Sequence, residues 1–298
     1  MPDKLSEGDW KLLIGRIKEG KCTPFVGAGA CYGTIPTAAK IAEGWASDEG
    51  FPFDDCTDLA KVAQFLSVKY DAIHPKDMFI EKFGKFPAPN FEDPYEPHRV
   101  LADLPLPIYI TTNYDDFLFR ALSRTEYAPG KNKNPRRELC KWNQQIGGGR
   151  AKPRKRPPRL DGDVENPIVF HLHGHMGLAE SMVLTEDDYL DFLINLAKDN
   201  ELLPARIQEA FTGTSLLFVG YSLNDWNFRV LFRSVVGYLE KSLLRAHISV
   251  QLAPVKDTAS TQQRNSAEDY LNRYFENLKI RVYWGTAREF AKELREHW

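Results

Sequence analysis

One asparagine and three histidines stand out as residues that can do chemistry. Asn113 sits in Thr111-Thr112-Asn113-Tyr114-Asp115, and the histidines in His171-Leu172-His173-Gly174-His175. A carboxamide can hold and orient a water molecule, and an imidazole can take its proton near neutral pH. Two glycine turns accompany them. Gly27-Ala28-Gly29 follows the apolar run Pro24-Phe25-Val26, and Gly220-Tyr221-Ser222-Leu223-Asn224-Asp225 follows Ser215-Leu216-Leu217-Phe218-Val219. A glycine turn between a strand and a helix lets backbone N–H groups meet a phosphate, and Gly29 has no Cβ to block one. The spacing, Gly27-x-Gly29 and then Gly33, is not that of the dinucleotide fingerprint. The histidines admit a second chemistry. Spaced two apart on a strand, all three would face one side, as metal ligands do. His74, His98, His247 and His297 sit in no matching context, and even with Asp115 the ligand count falls short. No metal is therefore expected, and His171 and His175 are read as structural neighbours of the site.

These residues need elements that bring them together. Apolar, β-branched runs at 23–26, 107–112, 167–172, 215–220, 247–252 and 280–284 read as buried strands. The segments between them read as helices: 6–20 with Ser6 as N-cap, 37–46, 58–70, 75–83, 98–104, 117–122, one opening at Thr185, 203–211, 227–239, 267–278 and 286–295. Strands alternating with helices predict an α/β fold, a doubly wound, mostly parallel, Rossmann-like sheet with helices on both faces. Ligands of such sheets bind at the carboxyl ends of the strands, where all four stretches stand. A sheet built for stability alone has no need of Asn, His and two glycine turns on one edge.

Composition narrows the class. The chain has 298 residues, 43% of them hydrophobic, and 39 Lys+Arg against 41 Asp+Glu for a net charge of −2. A large core can form, and residues 1–298 are read as a single domain. The near-even charge balance excludes a general polyanion binder. No apolar run reaches membrane length and Met1-Pro2-Asp3-Lys4 does not open a signal peptide, so a cytoplasmic protein without membrane contact is expected. Cys22, Cys31, Cys56 and Cys140 lack zinc-knuckle spacing and are read as reduced. From about 130 to 165 the chain turns basic and Gly/Pro-rich, with Lys152-Pro153-Arg154-Lys155-Arg156-Pro157-Pro158-Arg159 at its heart. This stretch reads as a solvated surface insertion; the sharper reading is a contact for nucleic acid or an acidic partner.

In this order, the four stretches resemble the sirtuin family: a Gly-Ala-Gly loop, an Asn within Thr-Asn-x-Asp, a His-Gly pair and a late Gly-x-Ser, spanning about Thr23 to Asn227. The likeness is closest to the sirtuin-like effectors of bacterial anti-phage defence, through the runs at 25–29, 110–115, 172–174, 184–189 and 218–225. The resemblance implies a sirtuin-type core with NAD as the bound substrate. Gly27, Ala28 and Gly29 would cradle its pyrophosphate. Thr112 and Asp115 would join the cofactor-binding set, and Gly220, Ser222 and Asp225 would hold the adenosine side. Asn113 would position a water at the ribose carbon bearing nicotinamide, and His173 would be the general base. Two departures matter. Cys31 stands where the family often has Ser. Deacylating sirtuins carry a four-cysteine zinc module after the His-Gly pair, and here no cysteine follows Cys140. Without that module water becomes the acceptor, and the implied reaction is NAD hydrolysis to nicotinamide and ADP-ribose.

Two other functions stay open on the same residues: an NAD-dependent protein deacylase, and a non-catalytic NAD or ADP-ribose sensor. An NADase that depletes its own cell's cofactor must be held in check. The expected control is a homo-oligomer, a fused sensor or a partner such as a HerA-type ATPase or an Argonaute-like protein. Trp226, Phe228, Arg229 and Arg233 are candidates for such a contact or for a buried helix face.

Overall fold

A computed structural model describes residues 5–143, 146, 161–199, 202–221, 230, 246–252 and 260–298. Ser222, Asn224, Asp225, Trp226, Phe228, Arg229 and Arg233, the helix expected at 227–239 apart from Val230, and the basic run at 152–159 lie outside the described residues.

The strands are β1 (Cys22–Val26), β2 (Ile108–Thr111), β3 (Glu126–Ala128), β4 (Lys131–Asn132), β5 (Arg136–Leu139), β6 (Ile168–His171), β7 (Ser215–Val219), β8 (His247–Gln251) and β9 (Ile280–Trp284). Seven form one sheet in the order β5-β6-β2-β1-β7-β8-β9, with every neighbouring pair parallel; β3 and β4 make a separate antiparallel pair. Among the described residues the helices are α1 (Glu7–Lys18), α2 (Ala38–Glu49), α3 (Leu59–Lys69), α4 (His74–Phe83), α5 (Pro97–Asp103), α6 (Phe117–Leu122), α7 (Glu186–Lys198), α8 (Ala205–Gly213), α9 (Thr261–Glu276) and α10 (Ala287–His297).

Period-two alternation sorts each strand's side chains between two cores. Val26, Tyr109, Val169, Leu217 and Val219 join Trp10, Val100, Leu101, Phe117 and Phe290, from α1, α5, α6 and α10. Phe25, Ile110, Phe170, Leu216 and Phe218 join Phe192, Ile207, Phe211, Leu271 and Phe275, from α7, α8 and α9. Helices on both faces explain why β1, β2, β6, β7 and β8 are buried along their whole length. A third core gathers α2, α3 and α4 with Met182 and Leu184, on the connection between β6 and α7. Among the described residues no helix is long and apolar enough to cross a membrane.

The doubly wound α/β sheet expected from the sequence is present, and its strand order sets the site. From central β1 the chain moves to β2 on one side and later returns to β7 on the other. Such a reversal opens a crevice at the carboxyl ends of the two strands.

The sequence reading missed β5. Its Arg136-Arg137-Glu138-Leu139 has no apolar run because it is the sheet's edge strand, with exposed and half-buried positions. The stretch read as an insertion thus begins as part of the main sheet. Lys133, Cys140 and Trp142 within it are buried. α9 also begins six residues earlier than expected, opened by a capping box between Ser260 and Gln263 in a polar first turn that carries little periodicity.

Candidate active site

Register aligns the chemical residues. Val26 pairs with Thr111 and with Val219, and Thr111 pairs with His171. Four strands therefore end on one row, and the residues just beyond it are Gly27, Thr112-Asn113, Leu172-His173 and Gly220. The reading of a shared sheet edge for Asn113, His173 and the two glycine turns agrees with this row.

The glycine turns pack on each other. Gly27 N–H donates to Val219 O at 2.9 Å, and Gly29 N–H to Gly220 O at 2.7 Å. A Cβ on Gly29 would lie 2.9 Å from Gly220 Cα, and one on Gly220 (φ +71°) would collide with Ala30 N. The bareness of Gly29 thus serves the close approach of the β7 turn. Of the three N–H groups read as a phosphate cradle, two are engaged within the protein, while Ala28 N–H, on an exposed residue, has no partner among the described residues.

Asn113 is held from all sides. Its N–H donates to Thr111 Oγ1 at 3.0 Å, and Thr111 Oγ1 donates to Val26 O at 3.1 Å. Its carboxamide Nδ2 donates to Gly27 O at 3.2 Å and to Cys31 Sγ at 3.4 Å. A carbonyl oxygen can only accept, so the contact with Gly27 O fixes which end of the amide is NH2. Both amide hydrogens are engaged, and Oδ1 is the end left without a hydrogen bond among the described residues. Thr112, half-buried, donates its N–H to Val26 O at 3.1 Å. Asp115 is buried and faces inward. Its Oδ1 accepts Phe117 N–H at 2.8 Å at the start of α6, and its Oδ2 accepts the Cys31 thiol at 3.5 Å. Burial and the Asp115 charge hold that thiol well above the ordinary cysteine range, so it stays protonated.

The histidines part company. β6 ends at His171, and the chain then turns through Gly174 (φ +83°), where a Cβ would collide with Ser181 O. The expectation that all three face one side fails because the two-residue period stops where the ladder stops. His173 is buried, with its ring edge-on to Tyr189 at 5.4 Å and Phe192 at 5.1 Å. Neither ring nitrogen makes a hydrogen bond among the described residues. Burial alone pushes its pKa down to about 3, so the ring is neutral at any physiological pH. His171 Nδ1 donates to the Asn113 carbonyl at 3.1 Å, leaving Nε2 buried without a partner. It supports Asn113 from behind, as a structural neighbour would.

His175 meets His171 at 5.0 Å between ring centres. Asp116, which no motif singles out, completes a group whose ligand-capable atoms lie within 4.8 Å of one another. Gly177 N–H donates to His175 Nδ1 at 2.9 Å, so Nε2 carries the ring proton and donates it to Asp116 Oδ1 at 3.1 Å. The Arg137 guanidinium bonds the same carboxylate. Burial raises the Asp116 pKa, but the hydrogen bond from His175 and the Arg137 charge outweigh it and hold the carboxyl below its usual range. Asp116 is thus paired with the Arg137 guanidinium and with the His175 Nε2–H, and the His175 lone pair is turned away from it.

A cavity of about 670 Å³ lies elsewhere, between the ends of β8 and β9 and α10, lined by Leu252, Glu268, Trp284, Glu289 and Glu293. It touches none of the strand-end residues above.

Sequence reasoning also passed over Glu96 and His98. His98 Nε2 lies 3.8 Å from Cys31 Sγ, and its Nδ1 donates to Glu96 Oε1 at 2.7 Å. No spacing rule links positions 67 residues apart. The one available signal was the cysteine after the Gly-Ala-Gly turn, where the family often has serine.

This sheet and its strand-end residues define a class: the SIR2-like domain family matches residues 107–283, more than half of the chain, and the chain belongs to it. Among characterised relatives it is 28% identical to the NAD(+) hydrolase ThsA of Cytobacillus dafuensis over 218 residues, 72% of this chain and 38% of that protein. It is 26% identical to the NAD(+) hydrolase ThsA of Enterococcus faecium over 263 residues, 84% of this chain and 48% of that protein. The chain thus spans less than half the length of the curated relatives it matches. A solved Sir2 homologue–NAD complex aligns over 99% of this chain and 95% of that chain at 15% identity and a TM-score of 0.41, too distant to argue from.

Proposed function

We propose that this chain is an NAD glycohydrolase that cleaves NAD to nicotinamide and ADP-ribose and acts as an NAD-depleting effector of anti-phage defence. The observation that carries the reading is the state of the Asn113 carboxamide. Both of its hydrogens are tied down, so its free Oδ1 presents a fixed acceptor at the sheet edge shared with His173. Membership of the SIR2-like family and the ThsA relatives supply the substrate class.

In this mechanism Asn113 Oδ1 accepts one hydrogen of a water and aims its oxygen at the ribose carbon. The bond to the nicotinamide nitrogen breaks with its electron pair leaving on that nitrogen, and the water oxygen bonds the carbon. The water's proton passes to neutral His173. Positive charge builds on the ribose as the bond breaks, and a neutral imidazole adds none to oppose it. The pyrophosphate meets the glycine turns at the β1–β7 crevice through Ala28 N–H, with Gly220, Ser222 and Asp225 toward the adenosine. Thr112 and Asp115 act by holding the turn that carries Asn113. Control comes from self-assembly, a partner or a fused sensor.

The test is nicotinamide release from NAD by the purified chain, alone and with an acyl-lysine peptide. Release without peptide supports hydrolysis, and release only with peptide makes it a deacylase. Tight NAD binding with no release makes it a sensor.

A further inference from the structure

Three separate elements meet at the sulfur of Cys31. The turn after β1 supplies the thiol itself. The β2–α6 connection supplies Asn113 Nδ2 at 3.4 Å and Asp115 Oδ2 at 3.5 Å. The start of α5 supplies His98 Nε2 at 3.8 Å. Cys31, His98, Glu96, Asn113 and Asp115 are all buried.

The mount for His98 is rigid. Glu96 caps the N-terminus of α5 by accepting Arg99 N–H through Oε2 at 2.7 Å, while its Oε1 fixes the His98 ring. At the other end of this seven-residue helix, Lys133 Nζ donates to Ala102 O and Leu104 O at 2.6 and 2.7 Å. Tyr109 Oη shares its one hydrogen between Leu101 O and Leu104 O, at 3.1 and 3.0 Å. These contacts satisfy carbonyls that a helix end otherwise leaves open. His98 therefore presents a fixed wall to the thiol.

The protons at the sulfur can be counted. The thiol has one hydrogen, which Asp115 Oδ2 accepts; with Nδ1 donating to Glu96, a neutral His98 ring would offer Nε2 as a second acceptor. Asn113 Nδ2 can only donate, so it needs a lone pair of the sulfur. Whichever acceptor takes the thiol proton, a lone pair stays available to Asn113. Gly27 O holds one amide hydrogen, but a single hydrogen bond leaves the carboxamide free to swing about it. The sulfur contact supplies the second fixed point.

We propose that Cys31 is a positioning residue for Asn113: its sulfur, braced by His98 and Asp115, fixes the carboxamide plane and so aims Oδ1. The catalytic part of this inference rests on the NAD-hydrolysis reading; the positioning part stands on the geometry alone. Serine at this position keeps both a lone pair and a proton, whereas alanine keeps neither.

The experiment uses the full chain as wild type, Cys31→Ala, Cys31→Ser, Asn113→Ala and the Cys31→Ala/Asn113→Ala double variant. The first readout is the side-chain NH2 pair of Asn113 in the asparagine-labelled ¹⁵N spectrum, assigned by its loss in Asn113→Ala. Its hydrogens exchange slowly in wild type and Cys31→Ser, and at least tenfold faster in Cys31→Ala. The second readout is nicotinamide release. Cys31→Ala lowers kcat by about 10- to 100-fold, up to the cost of a misplaced group, with KM within twofold of wild type. Cys31→Ser restores most of kcat, and the double variant is no slower than Asn113→Ala alone. Unchanged amide exchange in Cys31→Ala overturns the proposal, as does a double variant whose losses multiply. If wild type releases no nicotinamide, the functional reading fails, and the amide exchange still decides the role of Cys31.

Discussion

The ends of β2 and β6 are neighbours in the sheet and are built on opposite plans. At the β2 end every polar hydrogen of Asn113 is engaged: backbone N–H to Thr111, amide hydrogens to Gly27 and Cys31. At the β6 end His173 is wrapped by aromatic edges, and neither of its ring nitrogens is bonded among the described residues. One end fixes a direction and the other fixes a charge state. A group that aims a water must not rotate, whereas a group that takes a proton must start neutral. Hydrogen bonds hold the carboxamide in place, and burial keeps the imidazole neutral while weakening it as a base.

The comparison breaks first on chemistry. Asn113→Ala and His173→Ala should each lower nicotinamide release by about 10²–10⁴-fold, the usual contribution of a positioned acid–base group. If both variants keep wild-type rates, neither end is catalytic.

The glycine contact that sets the β1–β7 crevice comes next. Gly220→Ala adds a Cβ at φ +71° against Ala30 N. It should lower stability by about 2 kcal/mol or more, read as a fall in Tm. An unchanged Tm would mean that the two turns separate easily.

The contrast in charge state sharpens with pH. Burial depresses His171 and His173 to about 3 and His247 to about 4. Below about pH 6.5 the unfolded chain binds protons on these rings while the folded chain does not. Stability is therefore full above that pH and falls as pH drops toward 3–4, by at most ~1.4 kcal/mol per pH unit for each histidine. Denaturant titrations at pH 7.5 and 5 check the sign. By the same token, His173 contributes no acid limb near pH 6.5 to kcat/KM, and such a limb would assign the base elsewhere.

The smallest effect should be at the trio of Asp116, Arg137 and His175. Asp116 is partly exposed and pairs with both Arg137 and His175. Asp116→Asn should cost about 1 kcal/mol or less and leave nicotinamide release within a few-fold of wild type. A loss as deep as that of Asn113→Ala would place the trio in the active centre.

Much of the fold was legible in the sequence. The apolar strand runs, the helix between β2 and the β3–β4 pair, and the Ser6 and Thr185 caps are local signals, and local sterics and burial create them. β5 was not legible because an edge strand has no need of apolar residues on both faces. The separation of His171 from His173 was not legible either, since the strand period says nothing past the last ladder bond.

By itself, the sequence determined which residues would stand at strand ends: Asn113, His173 and the two glycine turns, each placed by the apolar run before it. Only the tertiary structure decided what those ends are worth. Strand order made Gly29 and Gly220 a contact, and the approach of α5 brought His98 to Cys31 and so gave the Asn113 amide its second fixed point. The physical reason is range. Strand and turn preferences act over a few residues, while the hydrogen bonds that orient a carboxamide join positions tens of residues apart, and the packed fold alone brings these together.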